Sequence, residues 1–327
     1  MKEISEGAFD GLSQLRFLRV ERNEICSLST LNLKHAYFRN ALSEVKPWIE
    51  LLDFSGNCFP TITAQYLRNC VKLMYLDLFD NKISEINNFE LMNLSQLKQL
   101  RLQNNQLSEI HPMAFMNLPQ LQCLYMRDNL IGSLHGNRLQ AFHRLEILDV
   151  TNNILQKKGM LDGVRNLQQL SLRNNSLSSV DENAFASLRQ LTTLDLAHNS
   201  LTKIPKRTFS HQTKVFWLDL SKNQLTSFED GTFDAKMANI ILNGNPLFCD
   251  DECWCLVTNR VRTFLPYQSE ITCACPKKCV GVRLKGLMIR KANDTLTEGM
   301  KTLGFNKQGQ WSPTSALIPG LRGAPTG

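Results

Sequence analysis

The pattern L-x-x-L-x-L-x-x-N-x-L recurs along this chain and constrains its fold more than any other feature. Ten copies occur within 327 residues. Their asparagines are Asn23, Asn57, Asn81, Asn105, Asn129, Asn153, Asn175, Asn199, Asn223 and Asn245. From Asn57 onwards, the interval between successive asparagines is nearly constant. A constant period of this kind predicts a stack of similar coils, each of which contacts only its neighbours.

The alternation L-x-L within each copy predicts a short strand with one buried face. One coil cannot bury its leucines alone, so stacked coils form a parallel sheet over a continuous apolar core. The chain must then turn inside that core, where backbone groups have no water to bind. An asparagine amide satisfies donors and acceptors together, so we predict a structural role for the repeated asparagines.

The segments between copies carry a second pattern, I-x-x-x-x-F-x-x-L-x-x-L. It is seen at Ile110, Phe115, Leu118 and Leu121, and again from Val180 to Leu191. From position 4 to about position 290, the two patterns together resemble the extracellular leucine-rich repeat family, in its typical class with a period of about 24 residues. The resemblance implies an α/β-type leucine-rich repeat solenoid, a horseshoe with short parallel strands on its concave face. Irregular or helical turns are expected on the convex face.

Three regions follow from this assignment: the solenoid over 1–247, a cap over 248–290 and a basic tail over 291–327. The interval from Asn23 to Asn57 is longer than one period, which indicates an insertion within 28–47. We interpret it as a tolerated insertion, with a binding loop as the alternative. Because the first residues already match the linker pattern in phase, we expect that the solenoid is truncated at its N-terminus and that Met1 is not the natural mature terminus; the missing signal sequence is therefore uninformative.

Six cysteines follow the last repeat: Cys249, Cys253, Cys255, Cys273, Cys275 and Cys279. Their surroundings resemble the cysteine-rich C-terminal cap of extracellular leucine-rich repeat proteins, which implies disulfides whose pairing stays open. A zinc site is the weaker alternative, because structural zinc sites favour C-x2-C pairs. Disulfides indicate an oxidising compartment, so we predict a secreted protein or the ectodomain of a membrane protein.

The other four cysteines are Cys26, Cys58, Cys70 and Cys123. We expect buried thiols at these positions, with a Cys26–Cys58 bond across the insertion as the alternative. Three N-glycosylation sequons begin at Asn93, Asn174 and Asn293 and agree with an extracellular location.

The net charge of +7 belongs to the end of the chain. Nine basic and two acidic residues lie in 276–327, whereas the charges of the region 1–275 balance. The excess of positive charge in the C-terminal region favours binding to a glycosaminoglycan or an acidic membrane surface. The alternative is that these charges are simply solvated. No run of about 18 apolar residues occurs, so we predict no membrane span in this chain. The extracellular features disfavour a nucleic-acid partner.

Enzyme signatures are absent from the sequence: the histidines form no H-E-x-x-H motif, and there is no G-x-S-x-G elbow or glycine-rich phosphate loop. Five aspartates share one strand position: Asp53, Asp77, Asp149, Asp195 and Asp219. The family resemblance implies a solvent-facing structural position for them. We therefore predict a protein that is not an enzyme and needs no cofactor or metal.

Outward strand positions supply the candidate binding residues. They are Phe17, Arg19, Tyr75, Phe79, Arg101, Tyr125, Arg127, Phe216 and Trp217. Aromatic and arginine side chains are enriched in binding hot spots, so the sequence predicts a protein ligand on the concave face, in adhesion, guidance or receptor-type binding. The alternative is a matrix protein of the small leucine-rich type that binds collagen or glycosaminoglycan.

Overall fold

The computed structural model describes residues 1–26 and 48–248, with short gaps inside both ranges. The gaps are 3, 5–7, 10–11, 13, 63–66, 68–69, 88–89, 92–93, 116–117, 135–141, 157–160, 162–163, 230, 234–236 and 238. The insertion, the cap cysteines, the tail and the sequons at Asn93 and Asn293 lie outside the described residues.

Among the described residues, ten short strands form one parallel sheet, with one strand from each repeat. They are β1 (Phe17–Arg19), β2 (Leu51–Asp53), β3 (Tyr75–Asp77), β5 (Gln99–Arg101), β7 (Cys123–Tyr125), β8 (Ile147–Asp149), β9 (Gln169–Ser171), β10 (Thr193–Asp195), β11 (Trp217–Asp219) and β12 (Asn239–Ile241). In the sheet they follow one another in this order, as the repeat pattern predicts. A second parallel sheet, absent from the sequence prediction, pairs β4 (Glu85–Ile86) with β6 (Glu109–Ile110). Elsewhere the described linkers consist mainly of turns and irregular segments.

The middle residue of each strand faces the core, and its two neighbours are more exposed. Leu124 is fully buried, whereas Cys123 and Tyr125 beside it are half-buried. The leucines at this position pair in register from strand to strand, as Leu100 does with Leu124 and Leu124 with Leu148. Alternation with period two thus produces one continuous apolar core behind the sheet, as the sequence predicts.

The repeated asparagines bond to the backbone inside the coils. Asn129 is typical: its Oδ1 accepts from the backbone N–H of Leu107 in the preceding repeat at 2.9 Å. Its Nδ2 donates to the carbonyls of Leu102, at 2.8 Å, and of Met126, at 3.0 Å. Each such side chain therefore joins its own turn to the coil before it. The same bonds recur at the other internal asparagines, as at Asn81, Asn105 and Asn153.

Asn23, in the first repeat, departs from this pattern. It is only partly buried, and its Oδ1 accepts from the amino group of Met1 at 3.0 Å. Its Nδ2 still donates to the carbonyl of Val20 within its own turn.

The residue before each repeated asparagine from Asn23 to Asn245 has a left-handed backbone. Asn152 and Asn174 have φ values of 53° and 49°. Asparagine and aspartate adopt this conformation more readily than most residues, and glycine adopts it most readily of all. Gly56 fills the position in the second repeat, where an added Cβ would lie 3.2 Å from the backbone of Arg22. These turns form a ridge along the edge where the strands end.

Phenylalanines of successive linkers stack on one another within the core. Phe209 is 2% exposed and lies between Phe185 and Phe233. Its ring centroid is 6.1 Å from that of Phe185 and 6.2 Å from that of Phe233, with nearly parallel planes. The F position of the linker pattern is therefore a packing position that couples neighbouring coils.

Cys26 and Cys58 form a disulfide, with 4.5 Å between their Cα atoms. The expectation of buried thiols was wrong for this pair. The backbone explains the pairing: Ile25 donates to Oδ1 of Asn57, and the N–H of Cys58 donates to the carbonyl of Ile25. Cys70 and Cys123 remain thiols, the first buried and the second half-buried. Burial raises the pKa of Cys70 to about 12.

Replacing Cys26 and Cys58 together by serine is expected to weaken the first two repeats. A bond that closes a loop of this size contributes about 2–4 kcal/mol, mainly by restricting the unfolded chain. Amide hydrogen exchange at Ile25 and Phe59 should accelerate, while exchange in β9 to β11 stays unchanged because each coil contacts only its neighbours. Unchanged protection at Ile25 would contradict this role for the bond.

Candidate functional site

The solvent side of the ten-stranded sheet, called the concave face below, presents three rows of side chains. The first and third residues of each strand form two rows. The residue two positions after each strand continues the same side and forms the third row, where Phe79 and Arg127 lie. Every repeat therefore contributes to one surface through short, regular elements, which hold their side chains at fixed spacing.

Four of the predicted residues come together on three consecutive strands and define the aromatic cluster: Tyr75, Phe79, Arg101 and Tyr125. Register pairs Tyr75 on β3 with Gln99 on β5, and Arg101 with Tyr125 on β7. Tyr75 is 41% exposed and Phe79 is 37% exposed, although both are large apolar side chains. The cluster thus places aromatic surface in contact with solvent at the middle of the N-terminal half of the sheet.

Arg101 is held in place by two neighbours. Its Nη1 is 2.8 Å from Oδ2 of Asp77, and its Cζ is 5.9 Å from the ring centroid of Phe79. An ion pair to a carboxylate and a cation–π contact both fix the guanidinium plane. About two fifths of the Arg101 side chain remains exposed, at 40%. The group is therefore oriented but still available to a partner.

Partial burial perturbs two ionisable groups of this region. Burial raises the pKa of Asp77, against the lowering effects of the Phe79 N–H and of Arg101. Burial also raises the pKa of Tyr125, and the neighbouring Cys123 adds to the effect. Tyr125 therefore remains a neutral phenol at physiological pH, able both to donate and to accept a hydrogen bond.

Two further predicted residues border the cluster. Arg127 pairs with Asp128 of the adjacent turn at 2.8 Å and is directed towards the edge of the sheet. Phe17 is 60% exposed on β1, in the row that continues through Leu51 to Tyr75. The sequence prediction did not include Leu51, because it belongs to a looser copy of the repeat. Phe17 and Leu51 extend the apolar surface of the cluster from β3 across β2 and β1.

Phe216 and Trp217 are not part of the cluster. They lie at β11, four strand positions from β7, which corresponds to about 19 Å at the usual strand separation. Phe216 is 61% exposed, whereas Trp217 is half-buried. The structure therefore divides the predicted binding residues between two parts of the concave face.

The C-terminal part carries the carboxylates of Asp195 and Asp219 around Arg173 and is called the acidic part below. Nη1 of Arg173 is 3.7 Å from a carboxylate oxygen of Asp195 and 3.7 Å from one of Asp219. Burial raises the pKa of Asp195, and the charge of Asp219 adds to the effect. Arg173 was not predicted as a site residue, although it occupies the same repeat position as Phe79 and Arg127. This shared repeat position is the sequence feature from which Arg173 could have been predicted as a site residue.

The five aligned aspartates have a local structural role. In each, Oδ1 accepts from the backbone N–H two residues later, as Asp77 does from Phe79 at 2.9 Å and Asp149 does from Thr151 at 3.0 Å. The bonds of Asp53, Asp195 and Asp219 follow the same rule. Side chains of this kind stabilise the turn that follows each strand.

Within the described ranges, no group of three or more histidine, cysteine or acidic residues has metal-binding geometry. The same ranges contain no helix long and apolar enough to cross a membrane. The six cap cysteines lie outside these ranges, so their disulfides and the zinc alternative stay predictions.

Comparison with known proteins supports the fold. The leucine rich repeat family model matches residues 95–155, 156–201 and 189–247. A curated relative, the leucine-rich repeat-containing protein egg-6 of Caenorhabditis elegans, is 48% identical over 94 residues. That match covers 27% of this chain, and the chain spans only 10% of the length of the worm protein.

Two solved structures share the architecture. One is the Toll–Spatzle complex, described as a hub in Drosophila development and innate immunity. Its chain matches with a TM-score of 0.69 and 21% identity, over 84% of this chain and 38% of that one. The other is the octameric complex of Latrophilin 3, Unc5D and FLRT2, with a TM-score of 0.68, 23% identity and coverage of 84% and 82%. Likeness at this level of identity establishes the fold. The chain therefore contains leucine-rich repeats and folds as a leucine-rich repeat solenoid of parallel strands.

Proposed function

We propose that this chain is an extracellular recognition module that binds a protein ligand through the aromatic cluster, in adhesion, guidance or receptor-type binding. The observation that carries the proposal is the exposure of Tyr75 and Phe79 beside an oriented Arg101. Monomeric proteins rarely leave large apolar groups exposed together without a use.

The composition of the cluster suits a protein partner. Tyrosine and arginine are enriched in hot spots because each combines apolar area with hydrogen-bonding groups. Arg101 is already fixed by Asp77 and Phe79, so binding costs little of its rotamer entropy. The strands beneath are paired in register with their neighbours, which holds the backbone of the cluster in one arrangement. Such preorganised surfaces favour a specific complex over a nonspecific one.

The comparisons give independent support. Both similar solved structures are complexes of several proteins, Toll with Spatzle and FLRT2 with Latrophilin 3 and Unc5D. The extracellular location rests on the Cys26–Cys58 bond, the cap cysteines and the sequons. Disulfides persist mainly in oxidising compartments.

Single replacements of Phe79 and Tyr125 by alanine are expected to weaken ligand binding by about tenfold or more, because truncation of a hot-spot residue costs about 2 kcal/mol or more. Ligands are first found by screening the multimerised chain against a panel of purified extracellular proteins. Affinities of the variants for each ligand are then measured by surface plasmon resonance.

The matched control for this test is Leu130→Ala. Leu130 is 52% exposed and lies just after Asn129, away from the three rows of the concave face. Its replacement removes exposed apolar area without touching the cluster, so we expect unchanged affinity. Equal affinity of wild type, Phe79→Ala and Tyr125→Ala would place the binding site elsewhere.

The alternative function, a matrix protein that binds collagen or glycosaminoglycan, depends on the basic region over 276–327. That region lies outside the described residues. Nothing in the described solenoid favours this function over protein recognition, and it stays a second prediction from the sequence.

A further inference from the structure

Asn174 occupies an exposed turn at the edge of the sheet. It lies three residues after the end of β9, with a left-handed backbone at φ 49°. It also begins the sequon Asn174-Asn175-Ser176, and both Asn174 and Ser176 are exposed. Of the three sequons in the chain, this one lies among the described residues.

The sequon is specific to this repeat. Asn104 and Asn152 occupy the same left-handed position in earlier repeats, but Gln106 and Ile154 follow them at the place of Ser176. The hydroxyl that a sequon requires is thus present beside only one of these three turn asparagines.

We propose that Asn174 carries an N-linked glycan, which rests on the extracellular location proposed above. In this reaction Nδ2 forms a bond to the anomeric carbon of an oligosaccharide linked to a lipid diphosphate. The bond between that carbon and the phosphate oxygen breaks, the lipid diphosphate leaves, and Nδ2 loses one proton. The glycosylated nitrogen keeps its second hydrogen.

The folded turn is compatible with this modification. Nδ2 of Asn174 donates to Oδ1 of Asn152 at 2.8 Å, and the hydrogen retained after glycosylation is able to serve this bond. The backbone N–H of Asn174 donates to the carbonyl of Ala197, a bond that the glycan does not alter. The buried Asn175 makes its bonds to Leu155 and Val150 without any atom of Asn174. Modification therefore leaves the core bonds of the repeat intact.

The position of the glycan has a consequence for ligand binding. Asn174 follows Arg173, whose guanidinium lies 3.7 Å from Asp195 and Asp219 on the acidic part of the concave face. Tyr75 on β3 is four strand positions from β9, or about 19 Å. Tyr125 on β7 is nearer, at two strand positions or about 10 Å. A glycan at Asn174 therefore restricts access to the acidic part first and leaves Tyr75, Phe79 and Arg101, on and beside β3 and β5, open to the ligand.

The test uses the full chain, directed into the secretory pathway of cultured animal cells by an added signal sequence. The secreted protein is denatured, treated with a peptide amidase that removes N-glycans in heavy-oxygen water, and then digested for mass spectrometry. We expect the label of an Asn-to-Asp conversion at Asn174. Its loss is expected in Ser176→Ala, which keeps Asn174 and its turn.

Ser200→Ala is the matched control. Ser200 is exposed and holds the same repeat position as Ser176, but His198 replaces the sequon asparagine there. This variant should retain the label. An unlabelled Asn174 in secreted, folded wild type would overturn the glycan proposal. Because the added signal forces entry into the pathway, that result leaves the binding role of the aromatic cluster to its own test.

A second variant separates the steric consequence from the modification itself. Gln106→Thr gives Asn104, on the turn after β5, the hydroxyl that completes a sequon next to Arg101. A glycan at Asn104 should reduce ligand binding at least about tenfold, whereas removal of the Asn174 glycan by Ser176→Ala should leave affinity within about twofold, the range of surface changes outside hot spots. A tenfold change in Ser176→Ala would contradict the inference that the Asn174 glycan leaves Tyr75, Phe79 and Arg101 open to the ligand.

Discussion

Replacing Asn129 by alanine is expected to lower the free energy of unfolding by about 3–4 kcal/mol. The truncation leaves the buried N–H of Leu107 without its acceptor and removes one donor from the carbonyls of Leu102 and Met126. A buried group left unsatisfied costs about 1–3 kcal/mol, and each lost bond about 1 kcal/mol. Urea unfolding followed by circular dichroism measures the change, and the loss should concentrate in the repeats on either side of Asn129.

Gln106→Ala provides the comparison. Gln106 follows the repeated asparagine Asn105 but points to solvent, so this variant deletes an amide of similar size from the same kind of turn. A surface change of this sort stays within about 0.5 kcal/mol. Equal stabilities of Asn129→Ala and Gln106→Ala would refute the role of the asparagines in joining the coils.

The second large effect is expected at Phe209. Its ring packs between Phe185 and Phe233, and its side chain is 2% exposed. Truncation to alanine removes both ring contacts and opens a cavity, which costs about 3–5 kcal/mol for a buried phenylalanine. The measurement is again equilibrium unfolding in urea, supported by hydrogen exchange of the repeats that contain these rings.

Phe216→Ala is the matched control, because it makes the same chemical change in the next strand region. Phe216 is 61% exposed before β11, so its truncation should change stability by about 0.5 kcal/mol or less. Comparison of Phe209→Ala with Phe216→Ala separates the effect of burial on stability from the effect of residue type. A loss in Phe209→Ala as small as that expected for Phe216→Ala would show that the linker phenylalanines do not hold the coils together.

The architecture of the sheet was predictable because the repeat encodes it locally. The alternation around Leu124 and the asparagine after each strand specify one coil, and stacking identical coils leaves a single way to bury the leucines. The asparagine bonds were predictable for the same reason, since a turn inside an apolar core needs a group that both donates and accepts. In the structure, the F position of the linker pattern is occupied by Phe185, Phe209 and Phe233, whose rings stack on one another.

Features that depend on contacts between residues far apart in the sequence were harder to predict from it. The Cys26–Cys58 bond spans an insertion that breaks the period, so the spacing of the two cysteines did not specify their pairing. The small sheet of β4 and β6 appears where two adjacent linkers happen to be extended, and the repeat pattern does not encode it. Arg173 became notable only through its distances to Asp195 and Asp219.

The candidate site was predictable in its residues but not in its grouping. Outward positions followed from period two, which identified Tyr75, Phe79, Arg101 and Tyr125. Their association arises because β3, β5 and β7 are adjacent and in register, whereas Phe216 and Trp217 lie four strands further on. The ion pair between Arg101 and Asp77 could not be predicted from the repeat pattern, because the orientation of a side chain depends on the neighbouring coils.

Hydrogen–deuterium exchange of the chain with and without a ligand from the extracellular panel tests the proposed binding surface most directly. We predict slower exchange in the segments 75–79, 99–103 and 123–127, which carry the aromatic cluster, and unchanged exchange around Phe216. Protection confined to the linker segment 111–115, or to the region around Phe216 and Trp217, would contradict the proposed role of the cluster.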